Sequence, residues 1–290
     1  MSWRTVVISQ RCKLDLKMGF MVVRGEETKR IFLDEIAVLL IENPAVALTG
    51  CLLEALTEKK VRILFCDEKR SPFAELCPYH TAYDSSRKIR MQTAWDEDIK
   101  GAVWGAIVSE KIRQQSLFLR ELEKEREADL LSSYLGQIEK YDASNREGHA
   151  AKVYFNALFG MDFSRNAEHP TNAALNYGYG LLLSAFNREI SVAGYLTQVG
   201  LFHTNVFNPF NFSCDLMEPY RVLVDRFVQE NPPTVFEKQE KHSLLQILNG
   251  EVKIASATQT VLNSIRIYCR SVFEALNEGD ASRIRFYQKI

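Results

Sequence analysis

The hydrophobic pattern of this chain changes period near residue 80, and that change limits the folds it can adopt. Up to that point short bursts of apolar and β-branched residues are separated by polar ones, as in 5–8, 20–23 and 31–33, which is typical of strands. Gly19 and Gly25 fall between bursts, where hairpin turns are expected. The first part of the chain is therefore predicted to be a small, largely antiparallel β domain.

One helix is expected to interrupt these strands. Four leucines at helical spacing mark it: Leu48, Leu52, Leu53 and Leu56. The helix should end near Lys59 and Lys60, because basic side chains suit a helix C-terminus. Residues 61–65 then resume a strand pattern.

From Arg87 onward the pattern is helical. Charged, amphipathic stretches over 102–119, 128–140 and 144–159 predict a second domain that is nearly all helix.

The junction between the two patterns is placed within residues 66–86, where prolines and serines accompany little periodicity. A chain of 290 residues lies near the size at which one core becomes two. We therefore predict an α+β fold, with a β-rich domain over 1–84 and a larger α-helical domain over 85–290.

Composition excludes several classes of protein. The apolar runs are far shorter than the roughly 20 residues that a membrane helix needs, and the N-terminus lacks the pattern of a signal peptide, so a cytoplasmic protein without a membrane partner is expected. The six cysteines form no C-x-x-C pair, which argues against a zinc ribbon or a disulfide framework. A net charge of −1 gives no global attraction for a polyanion, so local patches would have to bind any DNA.

Glu147 stands near the start of a predicted helix and has two interpretations. With Ser144 it fits a capping box, which is an ordinary structural role. However, Ala150, Ala151 and Tyr154 share its face, and two alanines would let another helix approach closely and bury the carboxylate. This segment alone leaves both interpretations open.

A second candidate segment combines His203 with Asp215 and Glu218. An Asn- and Phe-rich loop follows the histidine, and a helix is expected to start at Ser213, which puts the two carboxylates three residues apart on one helix face. Alone, a histidine is usually structural, and Asp-x-x-Glu is common in a first helical turn. Together, one imidazole and two carboxylates with open positions suit manganese or magnesium better than zinc.

Three groups of residues follow one another in the order of a known family's motifs. They are Glu147, Ala150, Ala151 and Tyr154; Pro170, Asn172, Asn176, Tyr177 and Tyr179; and His203, Asp215, Glu218, Pro219, Arg221, Val224 and Asp225. In this order they resemble the universal integrase of CRISPR adaptation, the "Cas one" family. The β-rich half is similar too, and the compact length and the sequence of 147–151 resemble the version found beside single-effector (Cas9-type, type II) systems.

The resemblance implies a catalytic metal site. By position, Glu147, His203 and Glu218 match the catalytic residues that bind Mg²⁺ or Mn²⁺. Many relatives have aspartate where Glu218 stands, so this chain departs conservatively, with a longer side chain. Asp215 falls on the neighbouring acidic position, where it would support the ligands or occasionally bind the ion.

The resemblance also implies a reaction and partners. The activity would be that of a DNA endonuclease and integrase that inserts short captured DNA (spacers) into the repeat array. The 3′-hydroxyl of the captured duplex would attack a phosphodiester at the leader end, and nicking of branched DNA would be the same chemistry with water. The partners would be double-stranded DNA, a second copy bound through the β domains, a small "Cas two" subunit in a 4:2 complex, and other adaptation proteins.

Several basic residues near these positions could contact DNA phosphates. Arg146, His149, Lys152 and Arg221 flank the proposed ligands, with a solvated surface charge as the alternative for each. The basic clusters at 87–90 and 283–289 could follow a duplex, although charge runs are usually only solvated. The Asn and Tyr residues at 172–179 are expected to pack beside the site.

Two other functions compete with this hypothesis. A helical zinc or iron hydrolase of a small molecule would turn over its substrate without DNA. A non-catalytic assembly subunit, in which the acidic residues only cap helices, would tolerate alanine at Glu147, His203 and Glu218.

Overall fold

The computed structural model describes residues 4–68, 70, 72–76 and 83–290, with the side chain of residue 72 left out. The chain divides into two compact units, Met1–Tyr83 and Asp84–Ile290. The sequence-based boundary was placed one residue later. Ser71 and Pro78, which helped to place the junction, lie outside the described residues.

The first unit contains two four-stranded sheets, with strand orders β1-β5-β7-β8 and β4-β3-β2-β6. Its elements are β1 (Arg4–Ile8), β2 (Lys13–Lys17), β3 (Phe20–Arg24), β4 (Thr28–Phe32), β5 (Ile36–Ile41), β6 (Ala47–Leu48), α1 (Gly50–Glu58), β7 (Arg62–Cys66) and β8 (Pro72–Leu76). One hydrophobic cluster joins both sheets and α1, and includes Leu14, Met21, Leu39 and Leu52.

The prediction of a largely antiparallel domain is correct for one sheet and wrong for the other. Strands β2, β3 and β4 form antiparallel hairpins, with left-handed backbone at Met18 and Gly19 in the first turn. Strands β1, β5 and β7 are parallel to one another. Strand β5 is buried at all six positions, as parallel strands covered on both faces usually are.

The second unit is mainly helical. Its helices are α2 (Ser85–Thr93), α3 (Glu97–Glu121), α4 (Glu125–Tyr134), α5 (Arg146–Phe159), α6 (Pro170–Val192), α7 (Asn211–Met217), α8 (Arg221–Glu230), α9 (Lys238–Leu245) and α10 (Val261–Glu278), and a 3₁₀ turn, Glu218–Tyr220, joins α7 to α8. In the described part of the chain, no helix is both long and apolar enough to cross a membrane.

This unit also contains a small sheet that the sequence did not predict. Strands β9 (Glu251–Ile254), β10 (Ala257–Thr260) and β11 (Gln288–Lys289) form it in the order β10-β9-β11. Strand β11 is only two residues long, and α10 separates it in sequence from its partner β9. A strand this short shows no recognisable pattern of apolar residues.

Helix α3 is the scaffold of the second unit. Asp96 caps its start by accepting a hydrogen bond from the backbone N–H of Asp98 at 2.7 Å. The helix contacts α4, α5, α8, α10 and the 3₁₀ turn, and buries Trp104 and Ile107 completely. A polar side chain on its buried face therefore meets groups from several other segments.

Helices α6 and α8 approach each other closely at Gly178. A methyl group added there would overlap with the side chain of Val224, whereas one added at Gly180 on the same helix would meet open space. The absence of a side chain at Gly178 is therefore what permits this packing.

We expect Gly178→Ala to destabilise the protein by about 1–3 kcal/mol because it overpacks the α6–α8 contact. Gly180→Ala is the matched control and should be neutral or stabilising by up to about 1 kcal/mol, since alanine is the better helix former. Denaturant unfolding followed by far-UV circular dichroism measures both. Equal free energies of unfolding for the two variants would contradict this packing.

Candidate metal centre

A buried lysine on α3 brings together two glutamates from distant parts of the chain. The Nζ of Lys111 lies 2.6 Å from Oε1 of Glu147 and 2.5 Å from Oε2 of Glu218. The side chains of Lys111 and Glu218 are only 10% and 4% exposed, and that of Glu147 is 22% exposed. The two carboxylates therefore meet at one positive charge that is largely shielded from water.

Glu147 is free to reach Lys111 because another carboxylate caps its helix. Asp142 accepts hydrogen bonds from the backbone N–H groups of Arg146 and Glu147, both at 2.8 Å. Of the two interpretations of Glu147, the capping box with Ser144 is wrong, since the hydroxyl of Ser144 donates to a backbone carbonyl outside the helix. The sequence fits that motif locally, but Asp142 takes its place.

Glu218 lies where helical geometry changes. The helix expected to start at Ser213 begins at Asn211 and ends just before Glu218, which opens the 3₁₀ turn. Pro219 follows and has no N–H to continue the α-helical bonding. Arg221, at the start of α8, donates from Nε to Oε1 of Glu218 at 2.9 Å.

The two neighbouring cations keep Glu218 ionised. Burial alone would raise the pKa of Glu218, but the charges of Arg221 and Lys111 and their hydrogen bonds outweigh it and lower this pKa to about 2. For Lys111 the effects have the opposite sign. Burial alone would lower the pKa of this ammonium, but the charges of Glu218 and Glu147 hold it above its ordinary value. The stabilisation from ionised Glu218 is present above the pKa of an unfolded glutamate and is lost as the pH falls toward 2.

His203 is oriented by a fully buried aspartate. Asp215 accepts hydrogen bonds from the backbone N–H groups of Leu201, Phe202 and His203 at 2.5, 3.2 and 3.1 Å. Its Oδ1 also lies 2.6 Å from Nδ1 of His203. With Nδ1 engaged, Nε2 is the ring nitrogen left to bind a ligand. Asp215 and Glu218 thus have different partners, although they are three residues apart.

The loop before His203 depends on Gly200. A Cβ atom at this position would lie 2.5 Å from the carbonyl oxygen of His203 and 2.7 Å from Oδ2 of Asp215. Trp104 of α3 also contacts this loop, stacked on Phe202 with ring centroids 4.6 Å apart.

The charges of the two glutamates also affect the pKa of His203. Its hydrogen bond with Asp215 raises its pKa, burial opposes this, and the charges of Asp215, Glu218 and Glu147 raise it further. The imidazole therefore lies within electrostatic reach of the carboxylates that Lys111 holds together.

Glu147, Glu218 and His203 are ligands that suit a hard divalent ion, but the structure does not arrange the three around one common position. Two carboxylates and one imidazole are ligands that Mg²⁺ and Mn²⁺ accept, and the carboxylates already surround a cation. Within the part of the chain that the structure describes, however, no three His, Cys, Asp or Glu side chains are close enough to hold a metal. A ready-made cluster of Glu147, His203 and Glu218 is thus absent from the described residues, and the ammonium of Lys111 lies between the two glutamates.

Comparison with known proteins identifies the family. The family model described as "CRISPR associated protein Cas1" matches residues 5–246 of this chain. The chain belongs to the Cas1 family. The "CRISPR-associated endonuclease Cas1" of Neisseria meningitidis serogroup C (strain 8013) is 36% identical over 226 residues, which cover 78% of this chain and 74% of that protein.

Solved structures share the fold of this Cas1-family chain. One is the "Cas6-RT-Cas1--Cas2 complex", with a TM-score of 0.75 and 16% identity, covering 99% of this chain and 36% of that longer chain. Another is a "Casposase bound to integration product", with a TM-score of 0.76 and 18% identity, covering 97% and 93% of the two chains. The predicted α+β class, with a β-rich N-terminal part and a helical C-terminal part, is confirmed.

The residues of the Cas1-family chain that were predicted to bind DNA phosphates differ in environment. His149 and Lys152 are exposed on α5, and Arg146 is half-buried with its guanidinium over the ring of Tyr134. Arg221 is paired rather than merely solvated, because its Nε donates to Glu218, and its contact with a DNA phosphate stays a prediction. Its guanidinium also lies 4.7 Å from the ring centre of Tyr179, which leaves it placed to balance the charge of Glu218.

The two basic clusters are partly neutralised by nearby acids. In the first, Lys88 pairs with Asp84 at 3.1 Å. In the second, Arg283 pairs with Glu278 at 2.7 Å, and Lys289 pairs with an acidic residue of α3 at the same distance. Arg87 and Arg90 are exposed on α2.

The Asn and Tyr residues at 172–179 lie on α6 and mainly pack. Arg165 donates to Asn172 and Asn176, each at 2.7 Å. The hydroxyl of Tyr179 donates to Asp225 of α8, whose pKa is raised by burial to about 6 although nearby tyrosine hydroxyls oppose that change. These contacts support the segment that carries Arg221.

Sequence reasoning missed Lys111. The signal was its position, since Trp104, Ile107, Lys111 and Gln115 follow one another at helical spacing along the buried face of α3. A lysine on a buried stripe needs a negative partner. That rule indicates a charge cluster but does not say which carboxylates complete it.

We expect Asp215→Asn to lower the pKa of His203, because the negative charge and the strong hydrogen bond that raise it are lost. The raised folded-state pKa stabilises the protein below the pKa of an unfolded histidine, about 6.5, and this contribution disappears as the pH rises through the folded value. That pH dependence of the free energy of unfolding should weaken in the variant.

NMR titration of the imidazole signals measures this effect directly in metal-free protein. Glu168→Gln, at an exposed position of the same unit, is the control and should leave the His203 signals unchanged. An unchanged His203 titration in Asp215→Asn would show that the aspartate does not set the state of the histidine.

Proposed function

We propose that this chain is a divalent-metal-dependent DNA endonuclease and integrase of CRISPR adaptation, which inserts short captured duplexes into a repeat array. The observation that carries the proposal is the meeting of Glu147 and Glu218 at one positive charge, in electrostatic reach of the oriented His203. Membership of the Cas1 family and the naming of a 36% identical relative as an endonuclease support it. The fold shared with a casposase bound to integration product is consistent with strand transfer.

Glu147, Glu218 and Nε2 of His203 would hold Mg²⁺ or Mn²⁺ in this proposal. Such an ion, when bound, supplies Lewis-acid stabilisation of the phosphate and eases deprotonation of the attacking hydroxyl. The other residues have supporting tasks: Asp215 fixes the imidazole, and Arg221 balances the charge of Glu218. Exposed Lys152 and His149, with Arg146, lie on the same helix as Glu147 and would neutralise DNA phosphates.

The proposed reaction exchanges one phosphodiester for another. The oxygen of the 3′-hydroxyl forms a bond to phosphorus, and the bond from that phosphorus to its original 3′-oxygen breaks, so the proton moves from the attacking to the leaving oxygen. No covalent enzyme intermediate and no energy source are required. When water replaces the 3′-hydroxyl, the same exchange is hydrolytic cleavage.

The proposal includes an assembly with a small Cas2 subunit. The solved Cas6-RT-Cas1--Cas2 complex contains a chain that shares the fold of this one, which supports such a partner. We further propose that the β-rich unit forms the homodimer, that two dimers join Cas2 in a 4:2 complex with double-stranded DNA, and that the protein acts in the cytoplasm. The sequence of 147–151 favours the version found beside Cas9-type systems, with other adaptation proteins of that system as further partners.

We expect Glu147→Gln, His203→Ala and Glu218→Gln each to reduce integration by more than about 100-fold, the upper range for losing only a supporting group of a metal site. The assay joins a labelled duplex to a supercoiled plasmid carrying a repeat array, with Cas2 present and with Mg²⁺ and Mn²⁺ compared. Glu168→Gln, at an exposed position of the same unit, is the matched control and should integrate normally.

The alternative is a purely structural role for the glutamates, because a buried ion pair can serve stability alone. Under that alternative the Gln variants would unfold more easily but integrate at the wild-type rate while folded. Normal integration by all three variants would therefore refute the proposed site.

A further inference from the structure

Lys111 lies where a divalent ion bound by both glutamates would have to lie. Its ammonium contacts Oε1 of Glu147 and Oε2 of Glu218 at 2.6 and 2.5 Å. We infer that Lys111 is an internal cation that competes with the divalent ion for these two carboxylates and thereby sets the metal affinity of the site. This inference rests on the proposed function, because it takes Glu147 and Glu218 as ligands.

The two cations exclude each other for geometric reasons. An ammonium group within hydrogen-bond distance of two oxygens fills the space between them, and a metal ion coordinated by the same oxygens would lie against it. Two like charges at such a separation repel strongly where water is largely excluded. The 10% and 4% exposure of the Lys111 and Glu218 side chains makes this repulsion poorly screened.

The charge balance leads to the same conclusion. The four side chains joined by these ion pairs balance one another without a metal, since Glu147 and Glu218 carry two negative charges and Lys111 and Arg221 two positive ones. A divalent ion added to that group leaves it with an excess of positive charge. Withdrawal of Lys111 reduces the excess, so ion binding and lysine withdrawal should be coupled.

Lys111 is the cation of this group that can move. Arg221 holds the other oxygen of Glu218, Oε1, and its guanidinium also lies over the ring of Tyr179. Lys111 holds Oε2 through a compact ammonium on a flexible stem, which can rotate away without losing a ring contact. The Glu218 oxygen needed by the ion is therefore the one that the mobile cation releases.

The test is a calorimetric titration of Mn²⁺ into the full-length, metal-stripped protein without DNA. We expect Lys111→Met to bind Mn²⁺ about tenfold more tightly than the wild type. In the wild type only the minor population with the lysine withdrawn can bind the ion, whereas the variant has no lysine to withdraw. Lys100→Met is the matched control, because Lys100 lies on the same helix but pairs with Glu97 at 2.7 Å. It should bind Mn²⁺ like the wild type.

A second variant keeps the test decisive if Lys111→Met does not fold. Lys111→Gln removes the charge but keeps a hydrogen-bond donor, and circular dichroism reports whether each variant is folded. If neither folds without metal, both are titrated with Mn²⁺ while folding is monitored. Folding restored by Mn²⁺ would support the inference, and no restoration would overturn it.

The remaining outcomes separate this inference from the proposed function. The tighter binding of Lys111→Met must disappear when Glu218→Gln is added, which places the ion at these carboxylates. Wild-type binding that depends on Glu147 and Glu218 but stays equal or weakens in Lys111→Met would overturn the competition and leave the proposed function intact. The absence of carboxylate-dependent binding in every protein would overturn both.

Discussion

The ion pairs of Lys111 with Glu147 and Glu218 connect three separate segments of the helical unit. Helix α3 contributes the lysine, the first turn of α5 contributes one glutamate, and the 3₁₀ turn before α8 contributes the other. Buried charges are tolerated only when they are paired, and removal of one partner typically costs about 3–5 kcal/mol. The position of each segment is therefore tied to that of the other two, and the loop of His203 is tied to α3 through the Trp104 stack.

Much of the local structure could be predicted from the sequence, because it depends on neighbouring residues. The period of apolar residues indicated α1, the antiparallel hairpins and the change to helices, and Gly19 indicated a turn. The parallel pairing of β1, β5 and β7 could not be predicted, because the period of a strand does not identify its partner. The two-residue strand β11 is defined only by its pairing with a distant strand.

The candidate site was also predictable only in part. Glu147, His203, Asp215 and Glu218 were chosen from local motifs, and the structure joins Glu147 to Glu218 through Lys111 and His203 to Asp215. The motifs did not reveal that Asp142 caps α5, that Arg221 binds Glu218, or that Lys111 holds both glutamates. The Lys111 contacts join residues that are far apart in sequence, and Asp142 competes with Ser144 for the cap of α5. Arg221 is only three residues from Glu218, but a local pattern does not show whether it pairs with that carboxylate or faces a phosphate. The chemistry of these residues alone supports a cation site. The proposal of strand transfer depends on membership of the Cas1 family.

The proposed metal site is tested most directly by a crystal structure of the protein saturated with Mn²⁺, with the ion located by its anomalous scattering. We expect an anomalous peak coordinated by Glu147, Glu218 and Nε2 of His203, with the ammonium of Lys111 withdrawn from the two carboxylates. A structure in which Lys111 still bridges both glutamates, with no peak beside them at saturating Mn²⁺, would contradict the proposed site.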